Sequence, residues 1–214
     1  MRLCYLFGMK HRILVAALLA ALPAPVLAQA AAPAPAAPAP KEDLVPVAID
    51  TTLGRIVIAL DRGRAPITTA NFLRYVDAHR LDGESFYRAM HMGDGGLVQF
   101  GVRSDVRKLF PKIVDEPSSK TGIKNVAGAI SMAKNAPNSA QADFFILLGD
   151  TPYFDAGGSP DDPNGFAAFG HVTEGMDVVK KIFAAPTSPT KGEGVMKGQM
   201  LEPTMRIIKA ARVK

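Results

Sequence analysis

Cysteine is nearly absent from this chain, whose 214 residues include only Cys4. Cys4 precedes the apolar run from Ile13 to Leu22, which reads as the core of a secretory signal, so a chain cleaved behind that run has no thiol. Such a chain excludes disulfides, thiolate nucleophiles, cysteine metal ligands and a lipid-modified N-terminal cysteine. It also suits a protein that works in an oxidising compartment.

Metal-ligating and nucleophilic motifs are missing as well. The four histidines form no metal-ligand spacing, and the chain has no G-x-S-x-G, H-E-x-x-H, P-loop or dinucleotide-binding pattern. The stretch from Asp161 to Gly165 is only faintly similar to a calcium loop, because it lacks the regular alternation and the distal glutamate. We therefore expect no metal and no cofactor.

The formal charge of +5 does not indicate a nucleic-acid partner. Residues 1–28 carry three basic and no acidic side chains, so 22 basic and 20 acidic residues remain in the rest of the chain. The sequence has no basic stripe with interleaved aromatic residues, and we expect no nucleic-acid binding.

The N-terminal segment reads as targeting and linker sequence. A basic stretch precedes the apolar run, and Ala28 ends a small-residue cleavage motif, which predicts a signal peptide over residues 1–28. The run is short for a membrane span, so no stable span is expected after cleavage. The alanine- and proline-rich residues 29–43 predict a linker, since such a segment cannot bury a core. We predict a periplasmic protein with one folded domain over residues 44–214.

About eight strands and two helices are predicted in this domain. Alternating apolar residues over 45–60 predict a hairpin, Pro66 opens a helix, and a second helix carries Met176 and Phe183 on one face. Without βαβ alternation, the pattern favours a mostly β fold, a closed antiparallel barrel whose open ends the helices cap. Further strands are predicted near residues 86–90, 97–100, 127–133, 144–148, 166–172 and 205–213.

Between Ser85 and Gly101, two apolar runs flank a glycine-rich turn, and each run contains a polar residue. Strict alternation places Phe86, Arg88 and Met90 on one face, and Gln99 lies in the return strand. A guanidinium between apolar neighbours must find partners or line a cleft. The residues allow two interpretations. One is a shallow pocket with polar side chains set in an apolar surface, and the other is an ordinary barrel strand with a solvated arginine and a glutamine at its rim.

Eight motifs follow one another along residues 45–213. They are G-R-I-V-I-A-L-D at 54–61, A-P-I-T-T-A-N-F at 65–72, F-Y-R at 86–88, V-Q-F-G at 98–101, I-S-M-A at 130–133, P-N-S at 137–139, D-F-F-I at 143–146 and F-G-H-V-T-E-G-M at 169–176. In this order they resemble the cyclophilin family of peptidyl-prolyl cis–trans isomerases. The resemblance implies an eight-stranded barrel capped by two helices. It also implies a monomeric enzyme that acts on X–Pro bonds in proline-containing peptides or unfolded segments of exported proteins.

The resemblance assigns roles to individual residues. Arg88 matches the catalytic arginine, Gln99 the glutamine that binds the substrate backbone, and Phe145 the floor of the proline pocket. Rotation about an amide bond meets a barrier of about 18–20 kcal/mol, and a donor aimed at the lone pair of the twisted prolyl nitrogen lowers it by differential binding. The remaining substrate contacts implied are Leu97, Ala133, Asp143, Tyr153, Phe154 and Phe166.

The chain departs from the family pattern at Lys134, in the longer loop at 155–165, and at three positions of the substrate site. Gly96 stands where the family has a phenylalanine, Asp143 where it usually has a glutamine, and Phe166 where it has a histidine. We expect Phe100 or Phe166 to refill the space at Gly96, and a restored phenylalanine there to raise activity if the pocket is merely under-filled. Asp143 is expected to accept a hydrogen bond from the ligand or from Arg88.

These departures leave two alternatives to a fully active enzyme. One is a low-activity or inactive cyclophilin-like module that binds proline-containing segments as a chaperone. The other is a structural scaffold. The paired retention of Arg88 and Gln99 favours the enzyme, whereas Gly96 and Asp143 favour the binding module.

Overall fold

The structure, a computed structural model, describes residues 41–213. The predicted signal peptide and most of the predicted linker lie outside these residues. Within them the chain forms nine strands, which are β1 (Leu44–Thr51), β2 (Gly54–Asp61), β3 (Ser85–Met92), β4 (Gly95–Gly101), β5 (Ala129–Met132), β6 (Asp143–Leu147), β7 (Ala168–Glu174), β8 (Thr187–Ser188) and β9 (Met200–Arg212).

Eight of these strands close into an antiparallel barrel, as the sequence predicts. Their order around the barrel is β1-β2-β7-β5-β6-β4-β3-β9, and β9 pairs back with β1. The short β8 pairs only with the first residues of β9. Closure leaves no long free edge for a second chain to extend.

The alternation read from the sequence fixes which side chains fill the barrel. Val47 pairs with Ile58, and Ile49 with Ile56, and all four side chains are fully buried. The first hairpin therefore presents one continuous apolar face to the core.

Both predicted helices are present, as α1 (Pro66–Asp77) and α3 (Met176–Phe183). Helix α1 connects the end of β2 to the start of β3, and Phe72 inserts between Phe100, Phe144 and Phe169 of the core. Helix α3 covers the opposite end, where Val178 meets the Gly54 turn.

A third helix, α2 (Ser118–Thr121), is a single turn in a stretch without periodicity. No helix among residues 41–213 has the length and apolarity needed to cross a membrane.

The β3–β4 pairing corrects one prediction. Strict alternation places Phe86 and Arg88 on one face, but the register shifts between them, with Phe86 opposite Phe100 and Arg88 opposite Gln99. This β-bulge at Tyr87 turns Phe86 into the core and Arg88 to the outer wall. A bulge inserts one unpaired residue, so sequence periodicity alone does not locate it.

Candidate active site

The candidate site lies on the outer wall of the barrel, across β3, β4, β6 and β5. Along β6, Phe144 and Ile146 face the core, whereas Phe145 and Leu147 face outwards. Leu97 of β4 pairs with Leu147, and Gln99 with Phe145, so these four side chains share the outer face. A second apolar cluster, separate from the core, results; it comprises Leu97, Ala129, Phe145, Leu147 and Phe154, with Met90, Met92, Ala133 and Phe166 packed against it.

Arg88 lies at the edge of this cluster and is partly buried. Its Nη1 donates to Gln99 Oε1 at 2.9 Å, and its Nε donates to Gln199 Oε1 at 2.8 Å. Nη2 lies 3.1 Å from the Sδ atom of Met90, a weak acceptor. Desolvation by the surrounding protein lowers the pKa of Arg88 below its ordinary value. The guanidinium is therefore neither free in solvent nor neutralised by Asp143.

Three phenylalanines form the apolar part of the site. The ring of Phe145 lies edge-on to Phe154 and Phe166, with ring centroids 5.8 and 5.4 Å apart, and Phe154 and Phe166 are 4.8 Å apart. Phe145 and Phe154 are 3% and 8% exposed. These rings form a compact apolar wall of the kind that holds a pyrrolidine ring.

Asn125 fixes the two loop phenylalanines in this arrangement. Its buried Nδ2 donates to the carbonyl oxygens of Phe154 and Phe166, each at 3.1 Å. Its Oδ1 accepts the Ser131 hydroxyl of β5 at 2.7 Å. A single buried amide thus ties both loop segments to the barrel wall.

Asp143 pairs with Tyr87, not with Arg88. The Tyr87 hydroxyl donates to Asp143 Oδ1 at 2.6 Å, and the guanidinium of Arg103 lies 4.4 Å from the centre of the Tyr87 ring. Burial raises the pKa of Asp143, although the Tyr87 hydrogen bond and the Arg103 charge oppose the shift. Burial and the Asp143 charge raise the pKa of Tyr87, which keeps this phenol protonated at neutral pH. Of the two partners expected for Asp143, Arg88 is therefore wrong, and the ligand stays a prediction.

A cleft of about 450 Å³ adjoins the apolar wall. The residues that line it include Gln99, Ala133, Asp143 and Lys134. Lys134 is itself paired, at 2.8 Å with Asp115 and at 3.0 Å with Asp162. The cleft provides room and polar groups for residues that flank a bound proline.

Tyr153 lies at the periphery, away from the apolar cluster. It is 57% exposed, its ring is tilted against Phe154 at 6.4 Å, and its hydroxyl accepts a hydrogen bond from Ser159. Of the nine predicted site residues, this is the one that the structure does not bring against the pocket or the cleft.

Gly96 does not face the pocket, which corrects a second expectation. Its φ of +151° favours glycine, and a Cβ atom there would lie 2.0 Å from the Met90 carbonyl oxygen and 2.7 Å from the Phe183 ring. A phenylalanine at this position would collide with β3 and α3 instead of filling the proline pocket. Phe100 is in the core and refills nothing, whereas Phe166 joins the aromatic wall.

Sequence reasoning assigned no site role to four residues that shape the site, Met90, Met92, Asn125 and Gln199, although alternation did place Met90 on the face of Arg88. Met90 and Met92 follow Arg88 at every second position of β3, so strict alternation after the bulge predicts that they share its face. Asn125 and Gln199 lie in loops, where no periodicity indicates a partner. Among residues 41–213, no group of three or more His, Cys, Asp or Glu side chains is placed to hold a metal ion.

A family model described as cyclophilin type peptidyl-prolyl cis-trans isomerase/CLD matches residues 46–211, which include the barrel wall and both site loops. The chain belongs to this family. Peptidyl-prolyl cis-trans isomerase cyp18 of Streptomyces antibioticus is 34% identical over 149 residues, which are 68% of this chain and 87% of the relative. Peptidyl-prolyl cis-trans isomerase B of Escherichia coli is 34% identical over 144 residues, 66% of this chain and 85% of the relative.

A solved structure shares the cyclophilin fold. The cyclophilin type peptidyl-prolyl cis-trans isomerase of Cryptosporidium parvum superposes with a TM-score of 0.64 over 80% of this chain and 99% of that chain, at 17% identity. At this identity the match supports the fold alone. The fold is therefore supported by the solved structure, and the family assignment by the family model and the sequence relatives.

Proposed function

We propose that this cyclophilin isomerises X–Pro bonds of exported polypeptides in the periplasm and so assists their folding. Membership of the family makes the chain a peptidyl-prolyl cis–trans isomerase. Exchange of an X–Pro bond takes tens to hundreds of seconds without a catalyst, which is slow enough to limit folding. The part of the proposal that concerns export rests on the signal-like sequence of residues 1–28.

The observation that carries the proposal is the placement of Arg88 beside the aromatic wall. The wall built on Phe145 holds the proline ring, and Gln99 lies between that wall and the guanidinium. When the bond twists, the prolyl nitrogen loses amide resonance and regains a lone pair. Arg88 donates to that lone pair in the twisted state only, so the interaction lowers the barrier.

The proposal is tested by measuring cis–trans exchange of a short Ala-Pro peptide with wild-type protein and Arg88→Ala. Loss of one aimed donor is expected to lower kcat/KM by about 10²–10³-fold. Arg55→Ala is the matched control, because Arg55 is exposed on β2 and, within the described residues 41–213, forms its ion pair with Asp50. Wild-type protein that binds the peptide without accelerating exchange would instead identify a binding module, and an active Arg88→Ala would rule out the mechanism.

The cellular location is tested separately by osmotic-shock fractionation of bacteria that express the full chain. We expect the protein in the periplasmic fraction with a mass that corresponds to cleavage after Ala28. A variant without residues 1–28 should stay in the cytoplasm. Recovery of the full-length, uncleaved chain from the cytoplasm would overturn the export proposal.

A further inference from the structure

The Arg88 guanidinium has a second fixed partner outside the hairpin that carries it. Gln199 lies in the loop that leads into β9, and its Oε1 accepts the Nε hydrogen of Arg88 at 2.8 Å. Together with Gln99 on Nη1, this contact holds the guanidinium along two of its edges. A third hydrogen, on Nη2, is directed at the Met90 Sδ atom. Because the group has five donors in a planar fork, one hydrogen on Nη1 and one on Nη2 then remain for the substrate.

The backbone of Gln199 is attached to the same strand. Its carbonyl oxygen accepts the Ala89 N–H at 3.0 Å, and the next residue, Met200, pairs with Arg88 in the β3–β9 ladder. The backbone of Gln199 is therefore hydrogen-bonded to Ala89 of β3, and its side chain is hydrogen-bonded to Arg88, the preceding residue. This double attachment gives the amide little freedom to move away from Arg88.

The orientation of the Gln199 amide is determined by a second hydrogen bond. Its Nε2 donates to the Val195 carbonyl oxygen at 2.8 Å, across the single turn formed by Gly194–Met196. A flipped amide would point its NH₂ group at the guanidinium and its oxygen at a carbonyl, and both contacts would be repulsive. The loop thus presents an acceptor to Arg88.

Both fixed acceptors of Arg88 are neutral amides. Among the described residues, no carboxylate forms an ion pair with Arg88, and desolvation lowers the pKa of the guanidinium below its ordinary value. A carboxylate at either position would hold the guanidinium equally well but would neutralise the charge that must stabilise the twisted amide. Amide acceptors fix the position of the donor while leaving its charge to act on the substrate.

We propose that Gln199 is a positioning residue, which acts through Arg88 by fixing the guanidinium plane with a neutral acceptor. This inference rests on the proposed isomerase function. It assigns a role in the reaction to the loop at residues 189–199, for which the sequence pattern gave none. Gln199 itself is not part of the apolar cluster that the proposal assigns to the proline ring.

The first test replaces the acceptor without changing side-chain length, as Gln199→Met. We expect kcat for the Ala-Pro peptide to fall about tenfold while KM stays within about twofold, because a misplaced catalytic group lowers the rate more than the binding. The Arg88 Nε–H resonance, assigned by its loss in Arg88→Ala, should be protected from solvent exchange in wild type and exposed in Gln199→Met. Lys191→Met is the matched control, since Lys191 lies in the same loop and pairs with Glu202.

The second test, Gln199→Glu, keeps the acceptor and adds a charge. The Arg88 Nε–H should stay protected, yet kcat should fall because the carboxylate neutralises the guanidinium. Wild-type kcat in Gln199→Met would overturn the positioning role, and wild-type kcat in Gln199→Glu would overturn the argument for a neutral acceptor. If wild-type protein is itself inactive, the proposed function fails, and an Nε–H that remains protected in Gln199→Met would separately refute the contact.

Discussion

At the scale of single residues, Asp143 is a buried carboxylate whose surroundings disfavour its charged form. Burial raises its pKa, so the ionised form is less stable in the folded than in the unfolded chain. At pH values above its raised pKa, the ionised Asp143 therefore lowers the free energy of unfolding. This destabilisation decreases as the pH falls towards the ordinary pKa of 3.8. The Tyr87 hydrogen bond offsets only part of this cost.

We expect Asp143→Asn to increase the free energy of unfolding at pH 7, since the amide oxygen still accepts from Tyr87 and carries no charge. In denaturant titrations the gain should be constant above the raised pKa of Asp143 and shrink as the pH falls from that pKa towards 3.8. Asp77→Asn is the control of opposite sign, because hydrogen bonding to Arg212 lowers the pKa of Asp77. That variant should lose a little stability at pH 7, with the loss disappearing in acid. An Asp143→Asn protein less stable than wild type at pH 7 would contradict the assignment.

The sequence predicted the identity of the central residues better than their geometry. Arg88, Gln99 and Phe145 do meet on one wall, but the placement of Phe86 on the same face as Arg88 was wrong because the bulge at Tyr87 is set by pairing with β4 and β9. The partners of Arg88 and Asp143 depend on loops and neighbouring strands that are distant in the chain. No local pattern encodes such contacts, so Gln199 could not be found from the sequence.

At the scale of elements, helix α3 packs so closely against the β3–β4 hairpin that Gly96 has no room for a side chain. Because a side chain at Gly96 would meet the Met90 carbonyl and the Phe183 ring, we expect Gly96→Phe to destabilise the protein and to lower activity rather than raise it. Gly96→Ala should already lower the melting temperature, as both φ and contact distance are unfavourable. Gly93→Ala, in the adjacent turn with open space around it, is the control and should have a smaller effect. Higher activity in Gly96→Phe would show that the hairpin can repack.

Helix α1 receives its N-terminal cap from a distant loop. The residue before the helix, Ala65, provides no side-chain acceptor, and Glu116 instead accepts the N–H groups of Ile67 and Thr68 and the Thr68 hydroxyl. The carboxylate also faces the positive end of the helix dipole. This long-range cap explains why the helix begins at Pro66 although the sequence there has no Ser, Asp or Asn cap.

Removal of this cap should leave buried donors unpaired. We expect Glu116→Ala to lower the free energy of unfolding by about 2 kcal/mol, and Glu116→Gln, which keeps one acceptor, to lose less. Urea denaturation measures both. Glu174→Ala, on the exposed end of β7, is the control and should stay close to wild type. Equal stability of Glu116→Ala and the control would mean that water replaces the cap.

At the scale of the whole molecule, closure of the barrel depends on the last strand. β9 pairs with β1, β3 and β8, and so joins the first hairpin to the one that carries Arg88. We expect a chain that ends at Pro203 to lose its cooperative thermal transition, since both neighbouring strands would have open edges. A chain that ends at Val213 should melt like wild type. A cooperative transition in the shorter chain would show that closure is dispensable.

The barrel itself could be predicted from the sequence because alternation and the spacing of turns are local signals. Val45 to Leu60 and Phe144 to Leu148 gave strands close to the observed ones. The order of the strands around the barrel was harder to predict from the sequence. β7 lies between β2 and β5, and this position depends on packing across the core. The sequence pattern alone gave neither the single turn of α2 nor the short β8.

The position of the site on the outside of a closed wall has a consequence for substrates. Neither end of a bound polypeptide has to enter the barrel, because the aromatic wall and the adjoining cleft are reached from the side. A proline in the middle of a long chain, with folded segments on both sides, can therefore be presented as a loop laid across the surface. An enzyme of this shape can act late in folding, on partners that are already partly assembled.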